Sequence, residues 1–219
     1  INWNASAYAG RNFNDIIFIG GNRVGTGYFR NVGNTQRMGT ELGLNGKLGN
    51  KLSWYGNYSY VRATFETSQN ISSAGHSSNP FECDGAIAGA TANDQDACES
   101  SEGYQIGVGP GDAIPGLSPH ITRIGIGYAP TESFSLALDT EYNSNQFYRG
   151  DENNHHGQKV PGYFLLNASA EFKFPLKANS PFSTVFFLDG RNLLDTNFET
   201  GGIVAENEVE GTGGSGTFV

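Results

Sequence analysis

Hydrophobic and polar side chains alternate along several stretches of this chain. The clearest stretch runs from Gly162 to Phe174, where even positions from Phe164 onwards are apolar and odd positions from Asn167 to Lys173 are polar. Successive side chains of a strand point to opposite faces, so the alternation predicts a ribbon with one apolar and one polar face. The function depends on whether the apolar faces contact a protein core or lipid.

The same alternation predicts seven strands in all. Their ranges are Trp3 to Ala9, Arg37 to Leu48, Leu52 to Phe65, Ile121 to Ala129, Ser133 to Tyr142, Gly162 to Phe174 and Thr184 to Leu194. The first strand can extend through the apolar run from Ile16 to Ile19. The seventh strand carries Phe on both faces, and Asp189 with Arg191 indicates which face is polar.

Short and long connections alternate between these strands. Turn residues at 49–50, 130–132 and 177–181 predict tight turns, whereas 67–119, 146–160 and a Gly-rich tail are long. Short turns at one end and long loops at the other are typical of outer-membrane barrels. A structureless loop as long as 67–119 is unusual inside a compact soluble domain. We expect 67–119 to be one long extracellular loop.

Composition also favours a barrel in a membrane. Hydrophobic residues make up 37% of the 219 residues and charged residues only 16%, which is sparse for a soluble surface. No apolar run approaches the ~18 residues of a spanning helix, so strands would have to cross the membrane. The net charge of −9 disfavours a nucleic-acid partner.

Two cysteines, Cys83 and Cys98, lie in a polar part of the long loop. Their spacing favours a disulfide formed in an oxidising compartment. Closing a loop of this size would contribute roughly 3 kcal/mol in the chain-entropy account. The alternative is a pair of free thiols.

Candidate chemistry is sparse. Asp151, Glu152, His155 and His156 share one loop and could be read as metal ligands, but adjacent histidines point oppositely on an extended backbone. We therefore expect a solvated loop with no metal. No Ser/His/Asp or Cys/His arrangement is recognisable, so we predict no catalytic residue, no cofactor and no enzymatic activity.

The acidic residues on the predicted strands could suggest paired catalytic carboxylates. They are Glu41, Asp139 and Glu141. In a barrel we expect these acids to face Arg37, Arg123 or Lys47 across the lumen, and thus to be structural.

Several short motifs resemble those of one protein family. Residues 27–41 contain Asn-x-Gly followed by Gly-x-Glu, and residues 109–120 form a Pro-rich approach to the next strand. A Gly-Asp-Glu-x-Asn loop follows, then Pro161-Gly162-Tyr163 and an Asn-Leu-Leu-Asp near the end, where the family usually has Phe. The motif residues are Asn31, Gly33, Gly39, Glu41, Gly150, Asp151, Glu152, Asn153, Asn192 and Asp195. In this order and spacing, the chain resembles the C-terminal barrel of TonB-dependent outer-membrane receptors.

The resemblance implies an all-β fold, a segment of a transmembrane antiparallel up-and-down β-barrel. It would supply about seven strands of a 22-stranded barrel. Residues 1–219 would then be the C-terminal portion of the barrel, with the plug domain and the last strand absent. The implied location is the bacterial outer membrane, with the long loops extracellular.

The same resemblance implies active uptake of a scarce ligand, most often an iron–siderophore complex, energised by TonB. The implied partners are outer-membrane lipid, TonB through the missing N-terminal region, and a small-molecule ligand. The residues we expect to contact the ligand are Tyr148, Arg149, His155 and His156. The competing view is that these four only order their loop.

Two other functions remain open from the sequence. A passive outer-membrane porin or a barrel adhesin would share the strand pattern but have no plug. A soluble secreted β-sandwich would have its apolar faces packed against each other.

Overall fold

A computed structural model describes residues 1–20, 27–73, 76, 105–175, 183–206 and 215–218, and within these ranges the secondary structure is all-β. The strands are β1 (Asn2–Asn12), β2 (Ile16–Gly20), β3 (Gly27–Asn31), β4 (Thr35–Leu48), β5 (Leu52–Phe65), β6 (Gln69–Ser72), β7 (Gln105–Val108), β8 (His120–Thr131), β9 (Phe134–Asn143), β10 (Gln146–Phe147), β11 (Lys159–Val160), β12 (Tyr163–Pro175), β13 (Ser183–Gly190), β14 (Ile203–Glu206) and β15 (Ser215–Phe218). Within the same ranges, no helix has both the length and the apolar content needed to cross a membrane.

Seven strands form one antiparallel sheet in the order β1-β4-β5-β8-β9-β12-β13. Each strand pairs with the next one along this order, which confirms the predicted up-and-down arrangement. Among the described residues the sheet does not close on itself, so β1 and β13 are its edges. Short turns at 49–51 and 132–133 lie at one end. The long connections at the opposite end carry four two-stranded hairpins, β2–β3, β6–β7, β10–β11 and β14–β15.

The register of the sheet keeps the two faces separate from strand to strand. Ile126, Leu138 and Ala168 are Cα partners in one row across β8, β9 and β12. The neighbouring row contains Asp139 and Asn167 on the other face. A slip by one residue would turn every apolar side chain to the polar face, so a register of this kind is strongly specified when one face leaves water.

The apolar face of the sheet has no second layer over it in the described part of the chain. Its large side chains are about half exposed, as shown by Leu42 at 49%, Ile126 at 49% and Leu138 at 49%. In a β-sandwich these side chains would meet an opposing sheet and be buried. The sandwich interpretation is therefore wrong for this fold.

The buried apolar clusters lie in the long connections. One contains Ile19, Val32, Phe65, Ile71, Ile106 and Val108 and is formed where the β2–β3 and β6–β7 hairpins meet the end of β5. A smaller one contains Tyr148, Val160 and Val204. The long connections are thus packed against one another beyond the end of the sheet.

The two largest errors in the predicted strand boundaries concern the ends of the first and the seventh strands. Residues 16–19 do not continue the first strand but form β2, because Asn14 adopts a positive φ of 53° and turns the chain there. The seventh strand ends at Gly190 rather than Leu194, since Asn192 and Asp195 also adopt positive φ values.

The stretch 67–119 is also more ordered than a structureless loop. Its described ends pair as β6 and β7, with Gln69 opposite Val108 and Ser72 opposite Gln105. Cys83 and Cys98 lie outside the described residues, so their predicted disulfide stays a prediction.

Asp15 fastens the turn between β1 and β2 to the start of β4. Its main chain exchanges hydrogen bonds with Gly33 and Val32, at 2.7 and 2.8 Å. Its carboxylate accepts hydrogen bonds from Thr35 Oγ1 at 2.6 Å and from Arg37 Nη1 at 2.8 Å. Burial raises the pKa of Asp15, but these donors and the Arg37 charge outweigh it and hold that pKa below its ordinary value.

We expect Asp15→Asn to lower the free energy of opening of this junction by about 1–2 kcal/mol at neutral pH, because the charge-assisted hydrogen bonds are lost. In the unsubstituted protein this stabilisation is present above the ordinary carboxyl pKa and is lost as pH falls through the lowered one. Hydrogen exchange of the amides at 15 and 32 measures the effect. Asp189→Asn is the control, since its partner Arg191 is mostly exposed and little change is expected.

Candidate functional site

The connection between β9 and β12, residues 144–162, contains half of the predicted site residues, among them all four predicted ligand contacts. It is closed by the β10–β11 pair, in which Gln146 lies opposite Val160. At Gly150 the backbone has a φ of +96°, and a Cβ there would lie 2.9 Å from the Val204 carbonyl oxygen. A glycine is thus required for the loop to approach the segment that follows β13.

Hydrogen bonds join this connection to two others. The Arg149 amide donates to Gly202 O at 3.0 Å, and the Val204 amide donates to Arg149 O at 2.7 Å. On the other side the Asn154 side chain accepts from the Ala113 amide at 2.6 Å and donates to Ala113 O at 3.0 Å. Three long connections are therefore held together by main-chain and amide contacts.

Two carboxylates are buried inside this loop. The exposed fractions of Asp151 and Glu152 are 0% and 2%. Asp151 Oδ1 lies 3.0 Å from His76 Nε2 and accepts a hydrogen bond from the His156 amide at 3.0 Å. Glu152 Oε1 accepts from the Gly150 amide at 3.0 Å. The expectation of a solvated loop was wrong, because loop packing removes these acids from water.

We refer to His76, Asp151, Glu152 and His156 as the acid–histidine cluster. The buried oxygens Asp151 Oδ2 and Glu152 Oε2 have no hydrogen-bond partner among the described residues. Burial, together with the Asp151 charge, raises the pKa of Glu152 to about 7, against the opposing effects of the Gly150 amide and His76. Burial and the nearby His76 lower the pKa of His156.

The four predicted ligand contacts fall into two groups. Tyr148 is only 6% exposed and meets the His156 ring edge-on, with ring centroids 6.4 Å apart. Arg149 and His155 are exposed. The Arg149 side chain lies against the turn at Gly116, with Nε 3.1 Å from where a Cβ would stand. Tyr148 and His156 thus pack against each other within the loop, whereas the side chains of Arg149 and His155 face solvent.

His76 and Ser73 belong to the site but were missed in the sequence. Ser73 Oγ donates a short hydrogen bond to Gly150 O. His76 lies 75 residues before Asp151 in a stretch with no alternating pattern, so no periodicity could have associated the two. Within the part of the chain that the structure describes, no set of three or more His, Cys, Asp or Glu side chains is arranged to hold a metal ion.

The polar face of the sheet carries its own charged contacts. Arg123 Nη2 lies 3.3 Å from Glu141 Oε2 of the neighbouring strand, so the contact predicted between an arginine and this acid is present. Asp139 instead accepts a hydrogen bond from the Tyr55 hydroxyl at 2.6 Å. Gly125 makes room for that contact, because a Cβ there would overlap the Tyr55 ring.

A shallow groove of about 350 Å³ lies on this face. Its polar lining comes from Asn4, Glu41, Asn57, Ser59 and Arg123. Glu41 accepts a long hydrogen bond from Ser6 Oγ at 3.4 Å. The groove offers hydrogen bonds and charge to whatever lies over the polar face.

The first family motif shapes the approach to β4. Asn31 Oδ1 accepts a hydrogen bond from the Gly33 amide at 2.9 Å, and Gly33 has a φ of +70°. Gly39 lies within the strand, where a Cβ would come 2.5 Å from the Tyr8 hydroxyl oxygen. The motif therefore forms a turn and leaves space for an aromatic side chain on the polar face.

The later motifs are also turns. The Asn153 side chain accepts from the His155 amide at 3.1 Å within the buried loop. Asn192 closes a turn with Thr196, at 3.0 Å in both directions, and the Asp195 amide donates to Asn192 O at 2.9 Å. These contacts give the motif residues structural roles.

Comparison with known proteins agrees with this architecture. The family model described as "TonB dependent receptor-like, beta-barrel" matches residues 1–193. Among solved structures, the copper transporter OprC superposes with a TM-score of 0.53 at 15% identity, over 97% of this chain and 26% of that protein. No curated protein matches the sequence. The chain therefore spans about a quarter of the length of this structural neighbour and belongs to the TonB-dependent receptor-like β-barrel family.

Proposed function

We propose that this chain forms part of the wall of a bacterial outer-membrane receptor that takes up a scarce ligand with energy delivered through TonB. Family membership supports this, because such receptors take up small-molecule ligands and interact with TonB. The observation that carries the proposal is the seven-stranded sheet, whose register keeps one continuous apolar face and one polar face.

The proposed placement follows from those faces. The apolar face contacts acyl chains, and the polar face, with Arg123, Glu141 and the groove, lines the interior of the full barrel. Residues 1–219 form the C-terminal part of this barrel. The short turns face the periplasm, and the long connections, with 67–119 among them, are extracellular.

We propose that the ligand is an iron–siderophore complex bound at the long connections. Arg149 and His155 are exposed and supply hydrogen-bond donors suited to an anionic complex, while Tyr148 and His156 pack together beneath them. The neighbour's name, a copper transporter, makes copper the principal rival cargo.

We expect uptake of radiolabelled iron–siderophore by cells that produce the full-length protein to stop when TonB is deleted. A passive porin would continue to admit the solute, because diffusion needs no energy coupling.

Arg149→Ala should weaken binding of the iron–siderophore several-fold. The control is Arg191→Ala, which removes an exposed arginine beside β13 and should leave binding unchanged. Labelled copper taken up in place of iron would exclude the siderophore assignment but leave TonB-dependent uptake intact.

A further inference from the structure

The acid–histidine cluster lies where two long connections meet. His76 and Ser73 come from the segment after β6, while Gly150 and Asp151 come from the connection between β9 and β12. The side chains of His76 and Asp151 are both fully buried at their contact. Separating the two connections would therefore expose this pair and return the neighbouring Glu152 to water.

Neighbouring carboxylates in a buried site are unfavourable when both are ionised, because each loses hydration and repels the other. Among the described residues, the groups that face the Glu152 carboxylate are the amides of Gly150 and of Glu152 itself, the Asp151 carboxylate and the His76 ring. The His156 ring packs against the rings of His76 and Tyr148. The Asp151 carboxylate contacts the His76 ring as well as a main-chain donor, whereas the Glu152 carboxylate has main-chain donors alone among the described residues.

We propose that the cluster is a proton-dependent latch between these two connections. A proton on Glu152 keeps the connection at 144–162 docked on the segment around Ser73 and His76, and loss of that proton favours release. The inference concerns the docking of the loops and does not rest on the identity of the transported ligand.

The direction of the pH effect follows from linkage. The pKa of Glu152 is raised to about 7 in the folded loop from an ordinary 4.5, so the docked state binds more protons between these values. The stabilisation of the docked state by Glu152 is complete when the pH is below the ordinary pKa of a glutamate. It is lost as the pH rises through the raised pKa of the docked loop. The lowered pKa of His156 acts oppositely, because its contribution is lost as pH falls below the ordinary histidine value.

Hydrogen exchange of amides 148–157, in the full-length protein embedded in lipid, tests the latch. Exchange rates corrected for intrinsic exchange give the equilibrium constant for opening of this loop. Between about pH 5.5 and about pH 8.5 this constant should rise in the unsubstituted protein by a factor on the order of tenfold larger than the factor in Glu152→Gln. Glutamine keeps an acceptor for the Gly150 amide but cannot ionise, and the comparison cancels the titration of His156. Equal pH dependence in the two proteins would overturn the proposal.

Two further variants complete the test. Glu132→Gln, in the short turn at the opposite end of the sheet, should keep the full pH response. If Glu152→Gln does not assemble, His76→Gln provides an independent measurement, because loss of the Asp151 contact should increase opening several-fold at both pH values. Unchanged exchange in His76→Gln would contradict a latch at this position.

Discussion

Substitution of Leu138 by arginine is expected to destabilise the folded barrel by about 2–4 kcal/mol in a bilayer. Leu138 is the fifth residue of β9, whose ten residues place it near mid-membrane depth, and its Cα partners are Ile126 and Ala168. A guanidinium at this position would have to leave water and enter the hydrocarbon, because the surrounding row is apolar.

The matched control is Ala137→Arg, on the same strand and at the same depth but on the polar face. Its Cα partners are Gly127 and Ser169, so a long side chain has room and water there. We expect Ala137→Arg to lower the free energy of unfolding by much less than Leu138→Arg does. Denaturant titrations of protein refolded into lipid vesicles measure both values. Equal destabilisation by the two substitutions would mean that the faces are assigned wrongly.

The second large effect is expected for Gly150→Ala, which should lower the free energy of opening of the packed connections by about 1–3 kcal/mol. The left-handed backbone at φ +96° disfavours any side chain, and the new Cβ would lie 2.9 Å from Val204 O and 3.1 Å from Val204 Cβ. The segment after β13 would have to move away from Arg149, to which it is hydrogen-bonded.

Gly157→Ala separates strain from contact, since Gly157 also has a positive φ, +83°, but its added Cβ would meet nothing within 4 Å. We expect a smaller effect from it. Limited proteolysis and hydrogen exchange of residues 148–157 and 199–204 report the opening. If both alanines had the same effect, the close approach to Val204 would not be what fixes the loop.

The seven strands of the main sheet were predictable because their faces meet different surroundings. In β12 the alternation from Phe164 to Phe174 leaves only one register that keeps apolar side chains together, and the pairing of Phe172 with Phe134 and Phe186 follows it. Where the alternation fades, as at the end of β13, the predicted boundary moved by several residues.

The boundary errors arise from local backbone geometry that hydrophobic periodicity does not report. Asn14 turns the chain before β2 with a positive φ, although Ile16 to Ile19 are as apolar as a continuing strand. After β13 has ended, the Leu193 amide still donates a hydrogen bond to Leu166 O at 2.8 Å, so this segment stays attached to β12 although it is no longer a strand.

The site was harder to predict than the sheet, because it depends on contacts between distant loops. Charged residues such as Asp151 and Glu152 usually indicate a solvated loop, and only the packing of three connections buries them. The family motifs located this loop correctly in the chain. They carried no information about His76, since its contact with Asp151 joins segments with no shared pattern.

The most direct test of the lipid-facing assignment is a spin-label scan along β9 in the full-length protein reconstituted in bilayers. Labels at 136, 138 and 140 should be accessible to oxygen and shielded from a polar nickel complex, and labels at 135, 137 and 139 should show the reverse. Accessibility with this period of two places the apolar face against acyl chains. Labels at the even positions that are shielded from both reagents, as in a protein interior, would contradict a barrel wall in lipid.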